Sequence, residues 1–330
     1  MKTPNKSISI IIPNYNGIKL LQQYMPCTID AIVNAGVDFE IIIVDDCSTD
    51  DSVNFIKTNY PEIKLIESPQ NKGFSHSCNL GIQASRCQLI LLLNSDVKLT
   101  PGYFLHQWRY FDKDDTFGVM GRIIDMDGDH IQDAARMPKF NGLKLKTGYF
   151  YYTQNGTDDI QTLYLSGANA LVDAAKLKAI GGFYELFSPF YCEDMELSVR
   201  AQRLGWKCYY EHQAICRHEM STTTKKIKRT WVKTIYHRNR YYFHALHLNG
   251  GARALWYMQI TLELIFKLLA GQFWLLKSYK ELLRTQKNIS LYRDKTAALF
   301  AAHHINLSLF DVIDALKASV KGKSITRFKP

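Results

Sequence analysis

The chain has 330 residues, 46% of them apolar, with 41 Lys/Arg and 31 Asp/Glu; it is long enough for one large α/β core with an appendage and too apolar to be disordered. Charge is unevenly placed: residues 1–224 carry 21 Lys/Arg against 26 Asp/Glu and residues 225–330 carry 20 against 5, so a slightly acidic body joins a strongly basic tail. The seven cysteines form neither a CxxC pair nor a Cys/His zinc spacing, which argues against a zinc module and for reduced thiols in the cytosol.

The first residues, MKTPNKSISIIIPNYNG, pass from a short polar lead into a β-like apolar run with no cleavage-site pattern, so no signal peptide is expected. Residues 7–13, 39–46, 63–68 and 88–94 are β-branched or Leu-rich runs, too apolar for strands with one wet face, and read as buried parallel strands. Helix-length stretches at 18–35, 51–59 and 75–84 separate them. The resulting β-α alternation predicts a doubly wound, mostly parallel sheet with right-handed crossovers.

Ligands of such sheets sit beyond the carboxyl ends of the strands. Here those ends carry Pro13-Asn14-Tyr15-Asn16, Asp45-Asp46 and Asn94-Ser95-Asp96. No GxGxxG follows the first strand and no P-loop sequence occurs, which disfavours a dinucleotide oxidoreductase and a P-loop kinase. Further strands are expected at 118–124, 163–172 and 207–211, with a helix at 193–204. The polar, aromatic, Gly-containing stretch 126–156 reads as loops over the crevice.

The acidic groups each have a structural and a chemical reading. Ser48, Thr49 or Asp50 can cap the helix that follows Asp45-Asp46, while the strand-end carboxylate suits hydrogen bonds from a base or ribose. Asn94-Ser95-Asp96 is a turn former by residue type, yet at this sheet edge Asp96 suits a hard-oxygen ligand for Mg²⁺ or Mn²⁺ holding a diphosphate. Glu193-Asp194-Met195-Glu196 opens a helix, where the dipole favours acids. Beside Phe190, Tyr191 and Met195, one of these acids can instead be poorly solvated, with the raised pKa that a general base needs. His218 by itself stays unassigned.

Taken in order, SISIIIPNYNG, IIIVDDCSTDDS, NKGFSHSCNLGI, LLLNSD, LSGANALV with IGGFYELF, YCEDMEL and ICRHEMS resemble the family 2 glycosyltransferases of GT-A fold, over about residues 7–224. The resemblance implies an inverting enzyme that transfers a sugar from a nucleotide-diphosphate donor with a divalent metal, Mg²⁺ or Mn²⁺. It implies that Pro13, Tyr15 and Asp46 cradle the base and ribose with Asp45 beside them, and that Asn71, Gly73 and Asn79 shape the wall near the nucleotide. It puts Asn94 and Asp96 at the D-x-D position, with Asp96 the metal ligand, and Asp194 at the position of the catalytic base with Glu193 next to it. His218 stands where a histidine meets the metal or diphosphate. Asn94 departs from the pattern by removing one negative charge. Asn-x-Asp is similar to a branch rich in rhamnosyltransferases and other cell-surface polysaccharide enzymes, which implies a UDP- or dTDP-sugar donor and a glycan or lipid-linked acceptor.

In 255–276, Leu255, Met258, Leu262, Ile265, Leu269, Phe273 and Leu276 recur every three or four positions beside a polar stripe of Gln259, Glu263 and Lys267. This predicts one amphipathic helix, too interrupted by charge to span a bilayer. Basic residues surround it, including Lys225, Lys226, Lys228, Arg229, Lys277, Lys280 and Arg284. The helix is expected to lie in an anionic membrane surface, or to pack on the body or on a second copy in a homo-oligomer. The tail is more apolar than phosphate contacts require, so no nucleic-acid partner is expected. The chain thus reads as a GT-A catalytic domain over 1–224 and a basic helical extension over 225–330, cytoplasmic and peripheral at the inner face of the membrane. A catalytically silent nucleotide-sugar-binding scaffold is the alternative, against which Asp96, Asp194 and His218 argue. A nucleotidyltransferase lacks its basic, Gly-rich phosphate loop here.

Overall fold

Ile10 and Ile11 are neighbours that point to opposite faces of one strand, and both are fully buried; so are Ile42 with Ile43 and Leu91 with Leu92. Strands covered on both faces need helices on both faces, the doubly wound arrangement. The computed structural model describes residues 6–156, 158–219 and 228–329. Its first half runs β1 (Ile8–Asn14), α1 (Ile18–Ala35), β2 (Phe39–Asp45), α2 (Ser52–Asn59), β3 (Lys64–Glu67), α3 (Phe74–Ala84) and β4 (Leu89–Leu93).

After β4 come β5 (Val97–Leu99), β6 (Thr116–Ile124), β7 (Ile131–Asp133), β8 (Ala135–Asn141), β9 (Lys144–Tyr152), β10 (Ile160–Gln161), β11 (Asn169–Asp173), α4 (Ala174–Ala179), α5 (Glu193–Gln202) and β12 (Lys207–His218). The main sheet has the order β10-β12-β6-β11-β4-β1-β2-β3. Strands β4, β1, β2 and β3 are parallel, as are β6 and β12; β11 is antiparallel to both its neighbours. The fold is mixed α/β around a largely parallel sheet, as the β-α alternation predicts.

Three local expectations need correction. Residues 126–156 are not loops: they form β7, β8 and β9, and β8 and β9 are a hairpin turning at Gly142-Leu143, where Gly142 takes φ 59°. Gly at the first of two loop residues is a hairpin signal, and the polar residues that suggested a loop belong to the exposed face, as Lys144 and Lys146 alternate with buried Leu145. The strand expected over 163–172 is only Asn169–Asp173. The expected 255–276 helix is two, broken where Gly271 takes φ 73°.

The tail contains α6 (Arg229–His247), α7 (Gly250–Leu269), α8 (Trp274–Arg284), α9 (Gln286–Ala302), α10 (Leu309–Ser319) and β13 (Thr326–Phe328), the last pairing with β9. The expected boundary at 224/225 lies outside the described residues. On either side of it the chain shares one apolar cluster, in which Phe187, Met195 and Val199 of the body meet Tyr242, Phe243, Trp256 and Leu282 of the tail.

Candidate active site

Strand ends and two loops enclose a cavity of about 390 Å³, lined by Pro13, Tyr15, Asp46, Asn71, Gly73, Asn94 and Asp96 on the sheet side and by Pro189, Phe190 and Trp231 opposite. Tyr15 and Trp231 are exposed aromatic faces at its rim. Asp46, itself buried, accepts from the Lys72 amide at 2.9 Å and the Gly73 amide at 2.7 Å. Gly73 takes φ 87°, and a Cβ there would lie 3.0 Å from the Pro189 carbonyl oxygen, so glycine is what lets this loop approach the opposite wall.

Asp45 lies below the cavity rather than in its lining. Its carboxylate accepts from Asn14 Nδ2 at 2.9 Å, the Ser48 amide at 2.8 Å and the Ser48 hydroxyl at 2.6 Å, which pins the ends of β1 and β2 together. Asp50 serves two helices, accepting from the Ile18 amide that opens α1 and the Ser52 amide that opens α2, each at 3.1 Å. Asn79 sits apart: its side chain bonds the Phe183 amide and carbonyl at 2.8 and 2.9 Å and ties α3 to the loop after α4.

The pairing of β5 with the end of β12 aligns Val97 with His218 and thereby carries His218 to Asp96. His218 Nε2 stands 3.5 Å from Asp96 Oδ2. Gln132 Nε2 donates to the His218 carbonyl, which turns Gln132 Oε1 toward His218 Nδ1 at 2.9 Å; Nδ1 then carries the hydrogen and Nε2 offers its lone pair. Asp96 Oδ1 is buried without a hydrogen-bond partner. A buried carboxylate oxygen left unpaired next to an imidazole lone pair fits a divalent cation. Among the described residues there is no cluster of three or more His, Cys, Asp or Glu for a metal, so a bound ion would take its remaining ligands from outside that set.

Glu193 and Asp194 open α5 in a second cavity, of about 350 Å³, with Leu145, Lys146, Thr147, Tyr164, Tyr191, Cys192, Met195, Tyr236 and Arg240. The two cavities meet at an aromatic partition, in which Phe190 packs edge-on against Trp231 and Tyr191 while Tyr191 packs against Tyr236. Tyr191 and Cys192 hold φ of 78° and 70°, a strained conformation for non-glycine residues. Asn239 of α6 stabilises it, donating to the carbonyls of Phe187, Phe190 and Tyr191.

Burial pushes both carboxyls of the pair up, and Asp194's charge pushes Glu193 further. Asp194 is held back by the Arg136 guanidinium and the amides of Met195 and Gly167, its Oδ1 lying 2.7 Å from the Met195 nitrogen; Glu193 Oε2 is buried without a partner. The two environments separate the pair, leaving Glu193 the group that keeps a proton and Asp194 the one that ionises first. Arg136 and the Asp133 it pairs with, whose carboxyl burial raises to about 6, were missed in the sequence. Both flank the β7–β8 junction, in the stretch read as loop, and no alternation in residues 131–140 marks them out.

The sequence profile of Glycosyl transferase family 2 matches residues 9–181, more than half of the chain. The chain belongs to glycosyl transferase family 2. This family 2 enzyme is 25% identical over 238 residues to the N-acetylglucosaminyl-diphospho-decaprenol L-rhamnosyltransferase of Mycobacterium tuberculosis, covering 65% of the chain and 77% of that protein. It is 31% identical over 144 residues to a chondroitin synthase of Escherichia coli, covering 42% of the chain but 20% of that protein. Among solved structures, GalNAc-T7 with UDP, GalNAc and Mn²⁺ superposes with a TM-score of 0.65 at 12% identity, covering 96% of the chain and 57% of GalNAc-T7. The mannosyltransferase PcManGT of Pyrobaculum calidifontis, in complex with GDP-Man and Mn²⁺, gives 0.54 at 12%, covering 96% and 86%. The family 2 glycosyltransferase is a transferase with nucleotide-sugar-using neighbours.

Proposed function

We propose that this transferase is inverting and metal-dependent, moving a hexosyl or deoxyhexosyl group from a UDP- or dTDP-sugar to a hydroxyl of a glycan or lipid-linked acceptor in cell-surface polysaccharide synthesis. The observation that carries the reading is Asp96, with one unpartnered buried oxygen and the other beside His218 Nε2, at the mouth of a strand-end cavity. Asp96 and His218 would hold Mg²⁺ or Mn²⁺, and such an ion supplies neutralising charge for a departing diphosphate. Asn94 offers an amide in the same lining, and Tyr15 and Trp231 offer faces on which a base can stack.

Asp194 is the base in this reading. Its carboxylate, ionised while Glu193 keeps its proton, takes the hydrogen of an acceptor hydroxyl entering from the second cavity. Attack from the face opposite the diphosphate inverts the anomeric centre in one displacement. The L-rhamnosyl group and the N-acetylglucosaminyl-diphospho-decaprenol acceptor in the name of the mycobacterial relative support a deoxyhexose and a lipid-linked acceptor.

Attachment to the cytoplasmic face of an anionic membrane is supported by α7, which exposes Leu255, Met258, Leu262, Ile265, Phe266 (69%) and Leu269 (81%), and by the basic residues Lys267, Lys277, Lys280 and Arg284 along α7 and α8. No helix among the described residues is long and apolar enough to cross a membrane. A panel of nucleotide sugars with Mg²⁺ or Mn²⁺, read as nucleoside diphosphate release, tests the function. Release from one donor is the expected result; donor binding without release under any condition would make the chain a silent scaffold.

A further inference from the structure

We infer that Asn239, in the tail, is a positioning residue for the proposed base: it holds Tyr191 and Cys192 in the left-handed conformation from which α5 starts, and so aims Asp194 into the second cavity. This rests on the glycosyltransferase reading above and adds to it a residue well beyond the family match, which ends at residue 181.

Between Ser188 and Cys192 the chain is neither helix nor strand, so its carbonyls need partners from elsewhere. The carbonyls of residues 187–191 are all paired. That of Pro189 accepts from the Phe74 amide at 3.4 Å, and the other four are met by two adjacent side chains of α6. Asn239 Nδ2 donates to the Phe187 carbonyl at 2.5 Å and to those of Phe190 and Tyr191 at 2.9 Å each, while Arg238 donates to that of Ser188. Arg238 Nε also donates to Asn239 Oδ1 at 2.9 Å. That bond keeps the amide the right way round, because turned over it would set an acceptor against three carbonyls. Asn239 is fully buried, so water does not replace it when it is removed.

The conformation held in this way is one that the two residues avoid on their own. At φ of 78° and 70° in succession, each side chain crowds its Cβ against backbone oxygen, a cost that glycine escapes. Cys192 is the N-cap of α5, where no side chain caps the helix, and its carbonyl accepts the Glu196 amide at 2.9 Å. The direction in which α5 leaves the loop is therefore set by these two φ angles, and with it the direction of Glu193 and Asp194 in the first turn. Relaxation of either angle to negative φ re-aims both carboxyls, and misplacing a catalytic group by about 1 Å can cost 10²-fold in rate.

The test uses the full chain carrying Asn239→Ala, with Asn239→Ser beside it as a milder change that keeps one donor on a shorter arm. Iodoacetamide labelling is followed at each cysteine by peptide mass spectrometry, because Cys192 lies in the clamped segment whereas Cys78, Cys208 and Cys216 are buried elsewhere in the fold. Loss of the clamp should speed labelling of Cys192 about tenfold or more and leave the other three unchanged. Nucleoside diphosphate release, with the donor and metal that the native protein uses, should fall about 10²-fold at saturating donor, and donor affinity far less. Adding Cys192→Gly should recover about tenfold of that loss, since glycine takes positive φ unaided; a residue needed only to stabilise the tail gains nothing from a glycine at 192. Slow Cys192 labelling in both variants, simultaneous labelling of all four buried cysteines in both, or no recovery with Cys192→Gly would each overturn the inference. A native protein that releases no nucleoside diphosphate from any donor removes the transferase reading instead, and Cys192 labelling still decides whether Asn239 holds the loop.

Discussion

The Gly73 amide donates to Asp46 Oδ2 at 2.7 Å while the Lys72 amide donates to Oδ1 at 2.9 Å, so one carboxylate at the end of β2 anchors a whole wall of the strand-end cavity. Asp46→Asn keeps one acceptor and faces the other amide with an NH₂. Charge-assisted bonds of this kind contribute about 1.5–3 kcal/mol, so the variant should melt earlier and bind the nucleotide donor about tenfold more weakly. Unchanged melting with unchanged donor affinity would show that the loop is held by something else.

Asp96→Ala removes an oxygen that has no partner in the protein. Folding stability in the presence of a chelator should therefore change by less than about 1 kcal/mol. The rise in melting temperature produced by Mn²⁺ or Mg²⁺ should disappear, together with metal-stimulated turnover. Full turnover of the native enzyme in chelator contradicts the metal assignment.

The Glu193–Asp194 pair should be visible in the pH dependence of turnover. Both carboxyls lie above their ordinary range because of burial, and Asp194's charge raises Glu193 further, so turnover should fall on acidification at a higher pH than ordinary carboxylates titrate. Glu193 keeps its proton while Asp194 ionises, so Glu193→Gln removes no charge and the acid limb should stay where it is. Asp194→Asn should lower turnover by about 10²–10⁴ with donor affinity nearly unchanged. An acid limb that moves to lower pH in Glu193→Gln would show that Glu193, not Asp194, ionises first.

His244 and His247, both buried, are held neutral, with pKa values lowered to about 3 and about 4, chiefly by burial. His244 accepts from the Leu145 amide at 2.7 Å through Nε2, a bond that protonation would break. Both bind fewer protons folded than unfolded, so their contribution is complete above pH 6.5 and lost as pH falls toward those lowered values, on the order of 3 kcal/mol each. Asp133, raised to about 6, acts in the opposite sense and loses its contribution as pH rises from 3.8 to 6. Denaturant unfolding between pH 7 and pH 4 should show net loss of stability, shallower in His244→Gln. An identical slope in the variant removes His244 as a source.

Leu262→Asp combined with Phe266→Asp puts charges on the exposed face of α7 and should abolish sedimentation with phosphatidylglycerol-containing vesicles. High salt should release the native protein only in part, because the apolar face does not depend on screening. A native protein that ignores vesicles but sediments as a dimer, dissociated by the same substitutions, would assign that face to a second copy.

Much of the sheet was legible because β1, β2 and β4 are apolar on both faces, a pattern few alternatives share. The strand-end residues Pro13, Tyr15, Asp46, Asn94 and Asp96 could be located for the same reason: the sheet edge collects them wherever the helices go. What escaped depends on distant partners. That Asp46 spends both oxygens on amides some 26 residues away, that Asp50 caps two helices, and that Asn79 bonds Phe183 are set by tertiary packing. The separation of Asp194 from Asp96 by an aromatic partition depends on left-handed Tyr191 and Cys192, and these on Asn239 in the tail. The β8–β9 hairpin was legible at Gly142, but a strand with one wet face resembles a loop when composition is weighed above alternation.

The short strand β13, residues 326–328, pairs with β9, the strand that carries Leu145, Lys146 and Thr147 into the second cavity. During synthesis β9 leaves the ribosome long before its partner exists. At 5–20 residues per second the interval is ~10–35 s, in which the main sheet can already close and the donor side can form. The strand-end cavity can thus form first, while the wall of the Glu193–Asp194 cavity is finished only when the tail has wrapped back. A tag or fusion placed just after Phe328 falls on this last seam and should disturb acceptor use before donor binding.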